Sequence, residues 1–139
     1  MSQIISTYGQ LLLSAMGQTL LLALLGLFFG CILGIIFGLA SVVDNKVSRA
    51  ISLIYVNLIR GVPMIVLAFF VFYGIPYGLK MIGVSTTFTS LQAGTICLAL
   101  NCGAYMSEII RAGIQSINPG QMEAARSLGL GYWRALFRV

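Results

Sequence analysis

Residues 17–43 read GQTLLLALLGLFFGCILGIIFGLASVV, and no charged residue occurs anywhere before Asp44. A helix needs about 20 mainly apolar residues to cross the hydrocarbon core of a bilayer, so the spacing predicts a crossing from Gly17 to Val43. The lead-in from Ser2 to Ser14 scatters Gln3, Ser6, Thr7, Tyr8 and Gln10 among leucines and isoleucines, and is expected to lie near the membrane surface. It lacks the positive start and short apolar core of a signal peptide. Within the crossing, Gly26, Gly30, Gly34 and Gly38 recur every fourth residue. Four residues advance a helix by about 400°, so the glycines form a slowly turning groove into which another backbone can settle closely. A helix of the same subunit is the expected occupant of that groove, and a helix of a neighbouring subunit is the alternative.

Outward from this stretch the pattern repeats. A polar break at Asp44-Asn45-Lys46-Val47-Ser48-Arg49 is followed by a second apolar stretch, about 50–79. Arg60-Gly61-Val62-Pro63 interrupts it, and a kink is expected because Pro63 has no N–H for the Ile59 carbonyl. Gly74-Ile75-Pro76-Tyr77-Gly78 reads as the exit and Lys80 to Ser90 as a short loop. A third crossing is expected at about 91–110, and from Arg111 onward the chain turns basic and amphipathic. The fold class is therefore an all-α membrane protein of three transmembrane helices with a non-spanning segment, about 111–139, at its end.

Composition agrees. Of 139 residues, 59% are hydrophobic and only 8% charged, with eight basic and three acidic side chains and a mean hydropathy of +1.00. So few charges cannot surface a soluble fold, and a chain this apolar is not a disordered one. The absence of histidine excludes His-dependent acid–base catalysis and His-ligated metal sites. Cys31, Cys97 and Cys102 form no CxxC pair and read as small buried hydrophobes. Neither a nucleophile–base pair nor a metal-ligand set can be assembled, so no catalytic residue and no metal are expected. The net charge of +5 is spread between apolar runs rather than gathered in a patch, which argues against nucleic acid. One basic residue, Lys80, falls on the side of the N-terminus. Lys46, Arg49, Arg60, Arg111, Arg126, Arg134 and Arg138 fall on the other. Basic residues mark the cytoplasmic side, so the N-terminus is expected outside and the C-terminus in the cytoplasm.

Ionisable groups inside a membrane are functional candidates by default, and here these are Arg60 and Glu108. Glu108 lies one helical turn before Arg111, so a local pair would satisfy it, and Arg60 can snorkel to the interface. The alternative is a pair between Arg60 and Glu108 across the second and third spans, forming an inner gate or part of a pathway. Asn101, Gly94, Gly103 and Tyr105 fit either a substrate route or helix–helix contact.

The segment after Arg111 carries the most information. Asn118 followed by Pro119 is a helix start, with Gln121 at the capping-box position. The expected helix, Pro119 to Leu128, stops at Gly129-Leu130-Gly131, where glycine accepts the left-handed cap. A second short helix, Tyr132 to Val139, would set Trp133, Leu136 and Phe137 on one face. Ala124 and Ala125 offer a flat surface to a partner. Glu123, read as part of the first turn and so favoured by the helix dipole, offers a carboxylate. An amphipathic helix on the membrane surface, with Glu123 paired to Arg126, fits the same letters.

Glu123-Ala124-Ala125 followed by Gly129 resembles the EAA loop of binding-protein-dependent ABC importer permeases. The match is closest to the polar amino-acid permeases of the histidine/glutamine type. Similar blocks stand at Arg60-Gly61-Val62-Pro63-Met64, at Ala104-Tyr105-Met106-Ser107-Glu108-Ile109-Ile110-Arg111, and from Gly113 through Gly129. The resemblance implies half of a membrane pore in a prokaryotic inner (plasma) membrane, paired with an identical or related permease subunit. It implies two cytoplasmic ATPase subunits, which bind ATP and Mg in place of any cofactor here, and an extracytoplasmic solute-binding protein that delivers a polar amino acid such as glutamine or glutamate. Glu123, Ala124, Ala125 and Gly129 would then belong to the coupling helix seated on the ATPase. This chain has no GxxxxGK[ST] motif to hold nucleotide itself. In the family a Leu-Pro stretch and two further spans follow the loop, so residues 1–139 are expected to form a single permease domain, incomplete at the C-terminus. The competing classes are a fragment of an ion-coupled secondary transporter, with Glu108 as the ion site, and a structural membrane subunit.

Overall fold

A computed structural model describes the backbone of residues 2–131, 134, 135 and 138, and the side chains from Tyr8 onward within that set. The described chain folds as α1 (Ser2–Val42), α2 (Lys46–Gly61), α3 (Met64–Phe69), a π-helical turn (Phe70–Gly74), α4 (Ile75–Met81), α5 (Ser90–Gln115) and α6 (Pro119–Ser127). Among the described residues three stretches are long and apolar enough to cross a membrane: Tyr8–Val42, Met64–Met81 and Ser90–Gln115.

The first of these departs from the expected division at Gly17. Lead-in and crossing are one helix of 41 residues, about 60 Å long at 1.5 Å per residue and so twice the thickness of a bilayer core. Among the described residues, nothing lies within 4 Å of a Cβ built at Gly9 or Gly17. The polar side chains do not interrupt the backbone either: the Thr19 hydroxyl, for instance, donates to the Ala15 carbonyl at 2.9 Å, one turn back within the helix.

The second stretch departs more. Pro63 does not kink a helix but divides two. Val62 (φ −101°, ψ 131°) and Pro63 (φ −55°, ψ 136°) are both extended, since the proline ring bars its predecessor from the α region and withholds the N–H that would continue the ladder. The Val66 and Leu67 amides then open a new helix on the Pro63 carbonyl. Nor does the chain exit at Gly74–Gly78. Pro76 clashes with the carbonyl four residues back, and the backbone widens to a π turn in which the Ile75 amide reaches the Phe70 carbonyl. Helix continues to Met81, and the turn falls at Gly83, with φ +86°. A capping box opens α5: the Gln92 amide donates to Thr89 Oγ1 at 3.3 Å and the Thr89 amide to Gln92 Oε1 at 3.0 Å. The third helix runs beyond the expected Ile110 to Gln115.

The largest interface joins α1 and α5, and the four glycines make it. A Cβ placed on Gly26 would stand 2.7 Å from Leu98 Cβ, on Gly30 2.8 Å from Cys102 Cβ, on Gly34 2.5 Å from Met106 Cβ, and on Gly38 2.9 Å from Ile110 Cβ. Both series advance by four residues in the same sense, so α1 and α5 run parallel. The groove is therefore occupied from within the chain, by the same-subunit helix expected rather than by a neighbouring subunit. Two parallel crossings require a return between them, and Met64–Met81 supplies it. On α5, Gly94 admits Leu22, and Gly103 admits Leu33 and the Tyr55 hydroxyl, so both are packing glycines.

Helix α2 is fastened to this pair by polar contacts. Ser48 Oγ donates to the Ala40 carbonyl at 3.1 Å, Ser52 Oγ to the Phe37 carbonyl at 2.6 Å, and the Tyr55 hydroxyl to the Leu100 carbonyl at 2.8 Å. The Tyr55 ring stacks on Phe37 with centroids 4.1 Å apart. Ile59, Leu67, Val71, Ala93, Cys97 and Ala104 form the core where α2, α3 and the π turn meet α5. Most other large apolar side chains, among them Leu13, Leu20, Phe28 and Ile65, face outward, as lipid requires and water would not tolerate.

Candidate functional site

Helix α6 is built by its two ends. At the start, Asn118 Oδ1 accepts from the Gly120 amide at 2.9 Å, Pro119 occupies the first helical position, and the Gln121 amide donates to the Asn118 carbonyl. At the end, Gly129 takes φ +81°, its amide donates to the Arg126 carbonyl, and the Leu130 amide donates to the Ala125 carbonyl. This pair of bonds is a Schellman cap, which needs a left-handed residue and so favours glycine. A nine-residue helix is too short to persist by propensity alone, and the caps satisfy backbone groups that its length leaves open at both ends.

Between the caps, Glu123, Ala124 and Arg126 are exposed while Ala125 is buried. The alanine pair is thus divided: one faces outward, the other is taken up by the chain itself. Glu123 falls in the second turn, not the first, so the helix dipole, which fades beyond the first turn, gives it little. No ion pair joins Glu123 to Arg126 among the described residues, and its carboxylate is presented outward. Leu128, 83% exposed, adds a bare apolar side chain beside the cap. The expected face of Trp133, Leu136 and Phe137 lies outside the described residues.

The intramembrane charges take a different arrangement from the gate pair. Glu108 forms an ion pair with Arg111 one turn along α5, with a second contact from Arg111 Nε to Glu108 Oε2 at 3.4 Å. Arg60, in the last turn of α2, places its guanidinium carbon 5.1 Å from the centroid of the Tyr105 ring, a cation–π distance. The local pairing read for Glu108 is present, and no direct bond joins Arg60 to Glu108. Among the described residues no group of three His, Cys, Asp or Glu side chains gathers to hold a metal.

The residues that hold these parts in place were partly legible. Ser48, Ser52 and Tyr55 recur at helical spacing on α2, a polar stripe that would have identified the face turned toward α1 and α5. Tyr105 was visible only as a polar residue, because its partner Arg60 stands about 45 positions earlier in the chain, and nothing local announces such a contact.

The family profile described as "Binding-protein-dependent transport system inner membrane component" matches residues 26–139. A "Probable amino-acid ABC transporter permease protein y4tF" of Sinorhizobium fredii is 36% identical over 95 residues, covering 68% of this chain and 40% of that protein. A "Probable glutamine ABC transporter permease protein GlnM" of Bacillus subtilis is 42% identical over 86 residues, 61% of this chain and 37% of the relative. A solved structure described as "Crystal structure of an amino acid ABC transporter with histidines" superposes with a TM-score of 0.79 at 35% identity, covering 95% of this chain and 59% of that one. The match to y4tF thus extends over 40% of that relative's length.

Proposed function

Because the chain belongs to the family of binding-protein-dependent transport system inner membrane components, we propose that it serves as a permease subunit of an ATP-driven importer of a polar amino acid. The observation that carries the reading is α6: a short helix, capped at both ends, with Glu123 and Ala124 exposed. Such an element suits seating in a cleft of a partner. Glu123 would meet a basic or hydrogen-bonding group there, Ala124 would permit close approach, and Gly129 would set the turn. Ala125, buried within its own chain, contributes from the inner side. ATP and Mg bind to two partner ATPase subunits, whose closure drives the coupling helices together.

The permease works in a prokaryotic inner membrane, N-terminus outside and C-terminus in the cytoplasm, with a second permease subunit, identical or related. An extracytoplasmic solute-binding protein delivers cargo. Glutamine or glutamate is the proposed cargo, supported by the likeness to a permease described as a glutamine transporter. Arg60 and Glu108 lie toward the inner end of the pathway. An ion-coupled carrier would place its ion on Glu108, but that carboxylate already has Arg111.

Capture of the partner ATPase by tagged permease tests the reading. Glu123→Lys should abolish capture and ATP-dependent glutamine uptake while membrane insertion is retained. Uptake that follows an ion gradient and ignores Glu123→Lys would overturn the proposal.

A further inference from the structure

The face of α5 that carries Tyr105, Glu108 and Arg111 has an uneven charge inventory. Glu108 is matched by Arg111, whereas Arg60 has a ring beneath it and, among the described residues, no carboxylate within 4 Å. A guanidinium carries five N–H donors in a planar fork. Stacking on an aromatic face leaves that fork's edge open, and the edge is the part that binds a carboxylate through two parallel hydrogen bonds.

The position of Arg60 argues against simple escape to the lipid headgroups. Tyr105 lies 15 residues into α5 from Ser90, about 22 Å along a helix axis and within a hydrocarbon core of about 30 Å. Glu108 and Arg111 lie beyond it, nearer the end of the helix that leads to α6. An arginine reaching for headgroups would extend past that pair. Instead its guanidinium rests on the ring a turn before Glu108, held on the membrane side of a pair already neutral. Its backbone sits just before the Val62–Pro63 break, and helices interrupted within the membrane commonly border substrate sites in transporters.

We infer that Arg60, floored by Tyr105, is the point on this subunit that takes the α-carboxylate of the amino acid in transit. The inference rests on the importer reading above and gives it a recognition residue. The ring presets the guanidinium plane, so less freedom is lost when the carboxylate arrives. The Glu108–Arg111 pair withholds the neighbouring acid that would otherwise capture Arg60 for itself.

The test uses the assembled permease–ATPase complex in lipid nanodiscs without the binding protein, so that only the membrane subunits discriminate. The probes are radiolabelled glutamine and its α-carboxamide, in which the carboxylate is replaced by a neutral amide. The native complex should bind glutamine more tightly than the carboxamide. Arg60→Gln should weaken glutamine about tenfold or more, the scale of a lost charge-assisted hydrogen bond, and leave the carboxamide nearly unchanged. Arg60→Lys, which keeps the charge without the fork, should restore part of the preference. Tyr105→Leu, which removes the ring beneath the guanidinium, should lose part of the preference. Lys80→Gln, at the other end of the return crossing, serves as the control and should change nothing.

Equal binding of the two probes by the native complex, or an undiminished preference in Arg60→Gln, would overturn the assignment. A preference that appears only in discs containing anionic lipid, and disappears in phosphatidylcholine alone, would also overturn it, by assigning Arg60 to a headgroup. Failure of the importer reading shows itself separately, as absence of ATP-dependent uptake in the native complex.

Discussion

Replacing Gly34 by alanine should separate α1 from α5. The new Cβ would stand 2.5 Å from both Cβ and Cγ of Met106, with the Gly103 carbonyl oxygen 3.4 Å away. Carbon atoms in contact sit at about 3.5–4.0 Å, so the deficit is about 1–1.5 Å. Met106 Cγ can rotate aside, but its Cβ is fixed to the α5 backbone and cannot, so the helices themselves must move. Parting them at Gly34 loosens the flanking contacts at Gly30 and Gly38, and lipid tails offer no hydrophobic force to push the pair back together. Overpacking of this kind costs about 1–3 kcal/mol. Gly17→Ala is the matched control, because nothing lies within 4 Å of its built Cβ and substitutions at such open positions change stability by about 0.5 kcal/mol or less. Unfolding by sodium dodecyl sulfate in mixed micelles, followed by ellipticity, reads the difference. Gly34→Ala should unfold at a clearly lower detergent fraction than both native chain and control. If the two alanine variants unfold together at the native midpoint, the glycine series is not the seam between α1 and α5.

Other consequences follow from single contacts. Gly129→Ala forces an L-residue into φ +81° at about 1–2 kcal/mol, so the end of α6 should fray, seen as faster proteolysis around Leu128 and weaker ATPase capture. Ser52→Ala removes the hydroxyl bond to the Phe37 carbonyl and should cost about 0.6 kcal/mol, the usual size of a hydrogen bond between membrane helices, measured in the same detergent titration. Thr89→Ala removes the cap of α5, with a loss of about 1 kcal/mol and faster hydrogen exchange of the Gln92 amide.

Much of the architecture could be read directly from the letters because it depends on local chemistry. A run of apolar residues long enough to cross a bilayer must satisfy its backbone internally and so becomes helix, whatever surrounds it. Asn118-Pro119 and Gly129 bound α6 for reasons confined to a few residues, and the structure places the helix and its left-handed cap where those residues demand. The three membrane-length helices and the local Glu108–Arg111 pair are of the same kind. Other features depended on where distant elements meet. The glycine groove was legible as a groove, but only packing showed that α5 fills it and runs parallel to α1. Whether Pro63 bends a helix or divides two depends on whether neighbours can take up the freed backbone, and here α3 begins anew on the Pro63 carbonyl. The place of Arg60 above Tyr105, and the inward turn of Ala125 while Ala124 stays outward, are decided by side-chain reach and helix rotation. Neither quantity is written into a local sequence pattern, so only the tertiary structure could supply them.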